Sequence, residues 1–228
     1  MATAKVRSAS SAPADELAPH LPRLLPGAQL ALYTAAQLSP SARDALYTLL
    51  DSNMAPLAAH TSMAHAEGPK RAEMFHRDAR YLVLTRQQPM PGALPPSPAA
   101  RRRVDISPDE LLGFASFRFD TEETAGVEDA EVIYCYEVQL APEARGAGLA
   151  GQLMAELEGI GAARGMDKAM LTCLASNTPA LRFYAKAGYT PDEIDPTRMA
   201  DDDGWEDVDA DGEVRRPDYR ILSKVLAA

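Results

Sequence analysis

Apolar residues recur along this chain at two periods, and each period predicts one kind of element. Val132-Ile133-Tyr134-Cys135-Tyr136-Glu137-Val138-Gln139-Leu140 is dense in β-branched and aromatic residues, lacks Gly and Pro, and predicts a strand. Leu149, Leu153, Leu157 and Ile160 then repeat at helical spacing, with Gly165 suited to the C-terminal cap. Further strands are expected at residues 81–85, at 111–120 (pairing antiparallel with 132–140), at the short buried run 168–174 and at the alternating run 219–225. A helix opens at Ser39-Pro40-Ser41, with Leu46, Leu49, Leu50, Met54 and Leu57 as its stripe. Gly68-Pro69 breaks that pattern, a short helix covers 70–77, and another runs from Asn177-Thr178-Pro179 to Gly188.

Other stretches lack a period. Residues 1–38, rich in Ala, Ser and Pro, predict a loosely ordered extension, although 21–32 carry enough apolar residues to pack onto a core. Residues 87–108, heavy in Pro and containing Arg101-Arg102-Arg103, read as a loop insertion between strands. Residues 192–218 read as an exposed acidic loop holding Trp205, with 196–217 as a second insertion. The domain proper is therefore expected over 39–228. Helices, strands, helix, strand, helix, strand is the order of an α/β fold with a mixed sheet. The long crossover after Leu140 makes its strand and the 168–174 strand parallel neighbours.

The join between strand and helix carries chemistry. Arg145-Gly146-Ala147-Gly148-Leu149-Ala150-Gly151 puts glycines where a helix begins. The first helical N–H groups have no intrahelical acceptor and sit at the positive end of the dipole, so the turn predicts a diphosphate seat. No Gly-Lys-Ser/Thr follows and no GxGxxG is present, which excludes a Walker loop and a dinucleotide fingerprint.

Composition narrows the partners. A net charge of -10 disfavours nucleic acid and suits a basic substrate. No apolar run approaches membrane-spanning length, and the first residues lack a signal-peptide core. The four scattered His residues show no paired-ligand spacing, so no metal is expected. Cys135 and Cys173 fall in apolar runs and are expected to be buried free thiols.

The spacing Arg145-x-x-Gly148-x-Ala150 resembles the pyrophosphate signature of the GCN5-related N-acetyltransferase superfamily. Beyond that motif, 113–120 (GFASFRFD), 134–140 (YCYEVQL), Glu193-Ile194-Asp195 and 219–224 (YRILSK) resemble the N-alpha-acetyltransferase 40 (NatD) family. Asn53-Met54 followed by Lys70-Arg71-Ala72-Glu73-Met74 keeps that family's spacing, and the likeness runs from about Leu46 to the C-terminus. The resemblance implies a mixed, mostly antiparallel sheet splayed between two parallel strands and flanked by helices. It also implies acetyl-CoA as co-substrate, the N-terminal Ser-Gly-Arg tails of histones H4 and H2A as partners, a monomer, and a place in nucleus and cytoplasm.

For the site it implies that Val138, Gln139 and Leu140 offer backbone groups to the pantetheine arm. Arg145, Gly146, Ala147, Gly148, Leu149, Ala150 and Gly151 would hold the diphosphate, with Arg182 and Tyr184 also on the cofactor and Asn177 near amine and thioester. Asp120, Tyr136, Asn177 and Tyr219 match substrate positions, and Glu122 joins Asp120 on a substrate Arg. Three departures stand out. Ala58 and Met63 occupy the register of a family Tyr and Trp, Arg220 replaces a Glu, and Tyr184 stands where the close family has Phe.

Amide formation needs a neutral amine, and an α-amine near pKa 7.7–8.0 loses its proton far more readily than Lys near 10.4. Glu137, through an ordered water, is the first candidate base, with Tyr134 and Tyr136 lining the route. A carboxylate in so apolar a strand is expensive unless used, although pairing with a nearby Arg would also explain it. The alternatives are an acetyltransferase for other N-termini or small amines, and a non-catalytic module binding CoA or a histone tail.

Overall fold

The computed structural model describes residues 2–87, 103–198 and 217–227. Two helices open the chain, α1 (Ala4–Ser11) and α2 (Ala14–Leu17), followed by strands β1 (Arg23–Leu25) and β2 (Ala28–Thr34). Next come α3 (Pro40–Ala58), α4 (Glu67–Met74), β3 (Arg80–Arg86), β4 (Leu111–Glu122) and β5 (Ala130–Leu140). The rest is α5 (Leu149–Ala163), β6 (Lys168–Leu174), α6 (Thr178–Lys186), β7 (Thr190–Pro191) and β8 (Tyr219–Val225). Among the described residues, one sheet of eight strands runs in the order β1-β2-β3-β4-β5-β6-β8-β7, with β5 and β6 as its only parallel neighbours.

Alternation along β3 divides the core. Leu82 and Leu84 face a cluster shared with α1, α2 and α5, while Tyr81 and Val83 face one shared with α3 and α4. The sheet is thus covered on both faces, which is the mixed α/β architecture expected. Helix α3 starts where the Ser39 hydroxyl accepts the Ala42 N–H at 3.1 Å, just ahead of Pro40. Its buried stripe is Ala42, Ala45, Leu46, Tyr47 and Leu50, whereas Leu57 is 43% exposed and does not belong to it. Helix α4 begins at Glu67, so Pro69 lies in its first turn, where its missing N–H costs nothing, instead of breaking the chain.

The N-terminal stretch departs most from expectation. Residues 2–38 are not a loose extension: β2 pairs with β3 over seven residues, and Val6, Ala9, Ala12, Leu17 and Ala18 are buried on the sheet. Small side chains let α1 lie close, and Arg80, buried beside it, donates to the Ser10 carbonyl. Lys5 pairs with Glu131 and donates to the Gly165 carbonyl at 3.0 Å.

The insertions are described only in part. Val104 bridges to Leu38 and Ile106 is buried, so the end of 87–108 is anchored to the core. The acidic stretch is not uniformly exposed either, because Asp192 and Asp195 are buried at its start. Asp192 takes Lys168 Nζ at 2.7 Å, and Asp195 takes Arg220 Nε at 3.0 Å and the Ile221 N–H at 2.9 Å. Arg220 is therefore the counter-ion of a buried carboxylate. Arg101, Arg102, Trp205 and the 201–203 and 206–207 acidic runs lie outside the described residues.

Candidate active site

The site forms where the two parallel strands part. Strand β5 pairs with β6 only from Val132↔Lys168 to Cys135↔Leu171, while its pairing with β4 continues to Leu140↔Gly113. From Tyr136 onward the β6-facing edge of β5 therefore has no strand partner. A cavity of about 410 Å³ occupies the gap, bordered by Tyr134, Tyr136, Glu137, Val138, Asn177 and Tyr184 among others. The ladder with β4 shifts register between Ser116↔Glu137 and Phe117↔Cys135, leaving Tyr136 as the extra residue of a bulge. A bulge changes the phase of side chains, so Tyr136 and its neighbour Glu137 both border the cavity.

Glu137 is held from two sides. Its Oε1 lies 2.8 Å from Lys70 Nζ on α4, and its Oε2 accepts from Gln139 Nε2 at 3.0 Å. The partner is thus a lysine, not the arginine the strand alone suggested. Lys70 also reaches Glu73 at 3.2 Å. Burial by itself lowers the Lys70 pKa, but the Glu137 and Glu73 carboxylates outweigh it and leave the ammonium raised. Lys70, Glu73 and His65 border the cavity too, and sequence reasoning gave none of them a role. His65 Nε2 lies 3.5 Å from Asp51 Oδ1.

Both strand tyrosines are protonated at neutral pH. Burial pushes Tyr134 up to about 12, with its hydroxyl 2.6 Å from Thr172 Oγ1. Burial also raises Tyr136, whose ring stacks under the Arg118 guanidinium at 4.4 Å. Tyr184 is raised well above the usual phenol range, again by burial. Asn177 caps α6, its carbonyl accepting the Ala180 N–H at 3.3 Å, and borders the cavity. Glu122 borders it as well, its carboxyl raised by burial and by neighbouring Asp120.

Asp120 and Tyr219 are not among the described residues lining this cavity. Asp120 instead accepts the Thr121 N–H at 2.9 Å, and Tyr219 pairs with Leu174 in the sheet. Arg182 is exposed on α6. Ala58 and Met63 also border the cavity. The loop carrying Met63 is tied down by Ser62, whose hydroxyl donates to Asp218 at 2.6 Å.

The turn after β5 meets the requirements of a diphosphate seat. Gly146 and Gly148 have φ of 78° and 76°, a left-handed conformation that L side chains avoid. A Cβ at Gly146, Gly148 or Gly151 would meet no protein atom within 4 Å, so the approach to the backbone is open. Helix α5 starts directly after Gly148, and its first backbone bond is Gln152 N–H to the Gly148 carbonyl at 3.2 Å. The N–H groups of Leu149, Ala150 and Gly151 therefore point outward unpaired, as first-turn amides do.

The Acetyltransferase (GNAT) family model matches residues 71–189, more than half of the chain, including β5, the glycine turn and Asn177. The chain belongs to the GNAT acetyltransferases. As such it uses acetyl-CoA, and the open strand edge, the cavity and the glycine turn fit that group. An acetyltransferase from Streptococcus agalactiae 2603 superposes with a TM-score of 0.54 at 14% identity, covering 89% of this chain and all of that one. Arabidopsis thaliana NAA60, solved with a bisubstrate analogue, gives 0.52 at 13% identity, covering 87% of this acetyltransferase and 99% of that chain. Ard1 from Thermoplasma volcanium gives 0.50 at 10% identity over 89% and 99%. At such identities the likeness is one of fold.

Proposed function

We propose that this acetyltransferase moves the acetyl group of acetyl-CoA to the N-terminal α-amine of a protein whose tail begins Ser-Gly-Arg, as in histones H4 and H2A. One observation carries the reading: Glu122, Tyr134, Tyr136, Glu137 and Asn177 border one cavity beside the open edge of β5. Glu122 supplies a carboxylate for a substrate guanidinium, a charge-assisted contact matched in geometry to Arg. Residues 134–140 carry the run YCYEVQL on which the family resemblance rests. The acidic chain, at -10, favours approach of a basic tail. Two neighbours in fold, NAA60 and Ard1, are N-acetyltransferases by name.

Bound acetyl-CoA supplies the activated thioester. This chain's residues bind and orient the two reactants, which accounts for most of the acceleration. Both Glu137 oxygens already have donors, Lys70 and Gln139, so the carboxylate takes up a proton in competition with them. That arrangement suits an α-amine, a sizeable fraction of which is neutral near pH 7.5, and not a lysine side chain. Tyr184, a buried phenol still protonated at neutral pH, is placed on the cavity wall to protonate the departing thiolate.

Acetyl incorporation into a Ser-Gly-Arg-Gly-Lys peptide tests this, beside the same peptide with a blocked N-terminus and one with Arg replaced by Ala. Incorporation restricted to free N-termini and weakened without Arg is expected. Equal labelling of the blocked peptide refutes α-amine transfer, and indifference to Arg favours other N-termini or small amines.

A further inference from the structure

The diphosphate turn and the catalytic carboxylate are joined by an unbroken chain of hydrogen bonds through α3. Arg145 Nη2 donates to Asn53 Oδ1 at 2.7 Å. Asn53 Nδ2 donates to the Leu140 carbonyl at 3.1 Å and to Gln139 Oε1 at 3.0 Å. Gln139 Nε2 donates in turn to Glu137 Oε2 at 3.0 Å. We propose that Asn53 is a positioning residue that couples seating of the diphosphate at Arg145 to the orientation of the Glu137 carboxylate. The inference rests on the reading of residues 145–151 as the cofactor's seat and of Glu137 as the carboxylate that serves the amine.

The direction of the chain is fixed by chemistry. A guanidinium only donates and a carboxylate only accepts, so the two amides between them have one compatible arrangement. Turning the Asn53 amide would set its NH2 against the Arg145 guanidinium, donor facing donor. Turning Gln139 would set its carbonyl against the Glu137 carboxylate, acceptor facing acceptor. Gln139 is 5% exposed, so water offers little substitute for either bond. Asn53 also holds the Leu140 carbonyl, the last paired residue of β5 before the turn. When Arg145 turns toward a phosphate, the Asn53 amide it releases is the one that sets Gln139, and Gln139 sets Glu137.

Asn53→Asp separates this role from simple packing. It keeps an acceptor for Arg145 and removes both donors. CoA binding by calorimetry, the 15N resonance of the Gln139 side-chain amide, and transfer to the Ser-Gly-Arg-Gly-Lys peptide are measured on the full chain. The amide signal is assigned by its loss in Gln139→Leu, and thermal midpoints accompany every variant. In the unaltered protein CoA is expected to shift the Gln139 amide signal. In Asn53→Asp, CoA should bind within about threefold while the shift disappears and kcat falls about 10- to 100-fold, the scale of a misplaced catalytic group. The double variant with Gln139→Leu should lose little more than either single one. A CoA-induced shift that persists in Asn53→Asp, or losses that multiply in the double variant, overturns the proposal. Failure of the unaltered chain to bind CoA instead overturns the cofactor-seat reading beneath it.

Discussion

Lys70 Nζ and Glu137 Oε1 lie 2.8 Å apart, with their side chains only 13% and 10% exposed. One comes from α4 and the other from the stretch of β5 that has left its parallel partner, so this ion pair closes one wall of the cavity. Two charges out of water at this depth depend on each other, and removing one strands the other.

Lys70→Met should therefore lower stability by about 3 kcal/mol, the low end for breaking a buried pair, with Lys70→Arg restoring most of it. Denaturant unfolding measures this. The sign with pH follows from the raised Lys70 ammonium. Its contribution is complete below the ordinary lysine value of 10.5 and is lost as pH climbs through the raised value. The variant's deficit should shrink on that alkaline limb.

Glu137→Gln keeps the side chain's size and removes its charge. A fall in kcat of about 100-fold or more is expected, with CoA affinity within about threefold, as for loss of a proton-transfer group. Single-turnover kinetics beside calorimetry separates the two quantities. Unchanged turnover would assign Glu137 to charge pairing alone.

Gly148→Ala tests the seat. The added Cβ meets no protein atom within 4 Å but forces a left-handed L residue at φ 76°. About 1–2 kcal/mol of stability should go to that conformation. CoA affinity should fall at least about tenfold if the methyl stands where the diphosphate approaches, since such a loss corresponds to about 1.4 kcal/mol of binding. Calorimetry and a thermal melt report the two effects independently.

At the acid end, the buried Asp192 carboxylate contributes to stability through its pair with Lys168. Burial alone would raise it, but Lys168 at 2.7 Å and further hydrogen bonds hold it below the ordinary carboxylate value of 3.8. Its contribution is thus full above pH 3.8 and is lost as pH falls through the depressed value. Asp192→Asn should be destabilised by about 3 kcal/mol at pH 7 and should show a flatter acid limb in urea titrations.

Much of this was legible locally. The β5 strand, the glycine turn and α5 were visible because apolar periodicity and turn chemistry act over neighbouring residues. The N-cap at Ser39 and Asn177 are of the same kind. Residues 1–38 were misread because alanine carries no periodic signal: Ala9, Ala12 and Ala18 belong in a helix-on-sheet contact precisely for their small size, which composition registers as disorder. Leu57 was misread in the opposite sense, since a stripe predicts a face but not where the face stops meeting a partner. Asp120 and Tyr219, expected at the substrate, fall outside the cavity wall, and Lys70, Glu73 and His65 fall on it.

The sequence by itself determined the strand–turn–helix that makes an anion seat, the glutamate set in an apolar strand, and the order of elements that produces one parallel pair. Tertiary structure alone decided where that pair parts, that Lys70 faces Glu137, and that Asn53 stands between Arg145 and Gln139, which lie 92 and 86 residues further along the chain. The reason is physical. Hydrogen-bond direction and helix termini are properties of a few adjacent residues, whereas the partner of a buried charge is chosen by the packing of helices on a sheet.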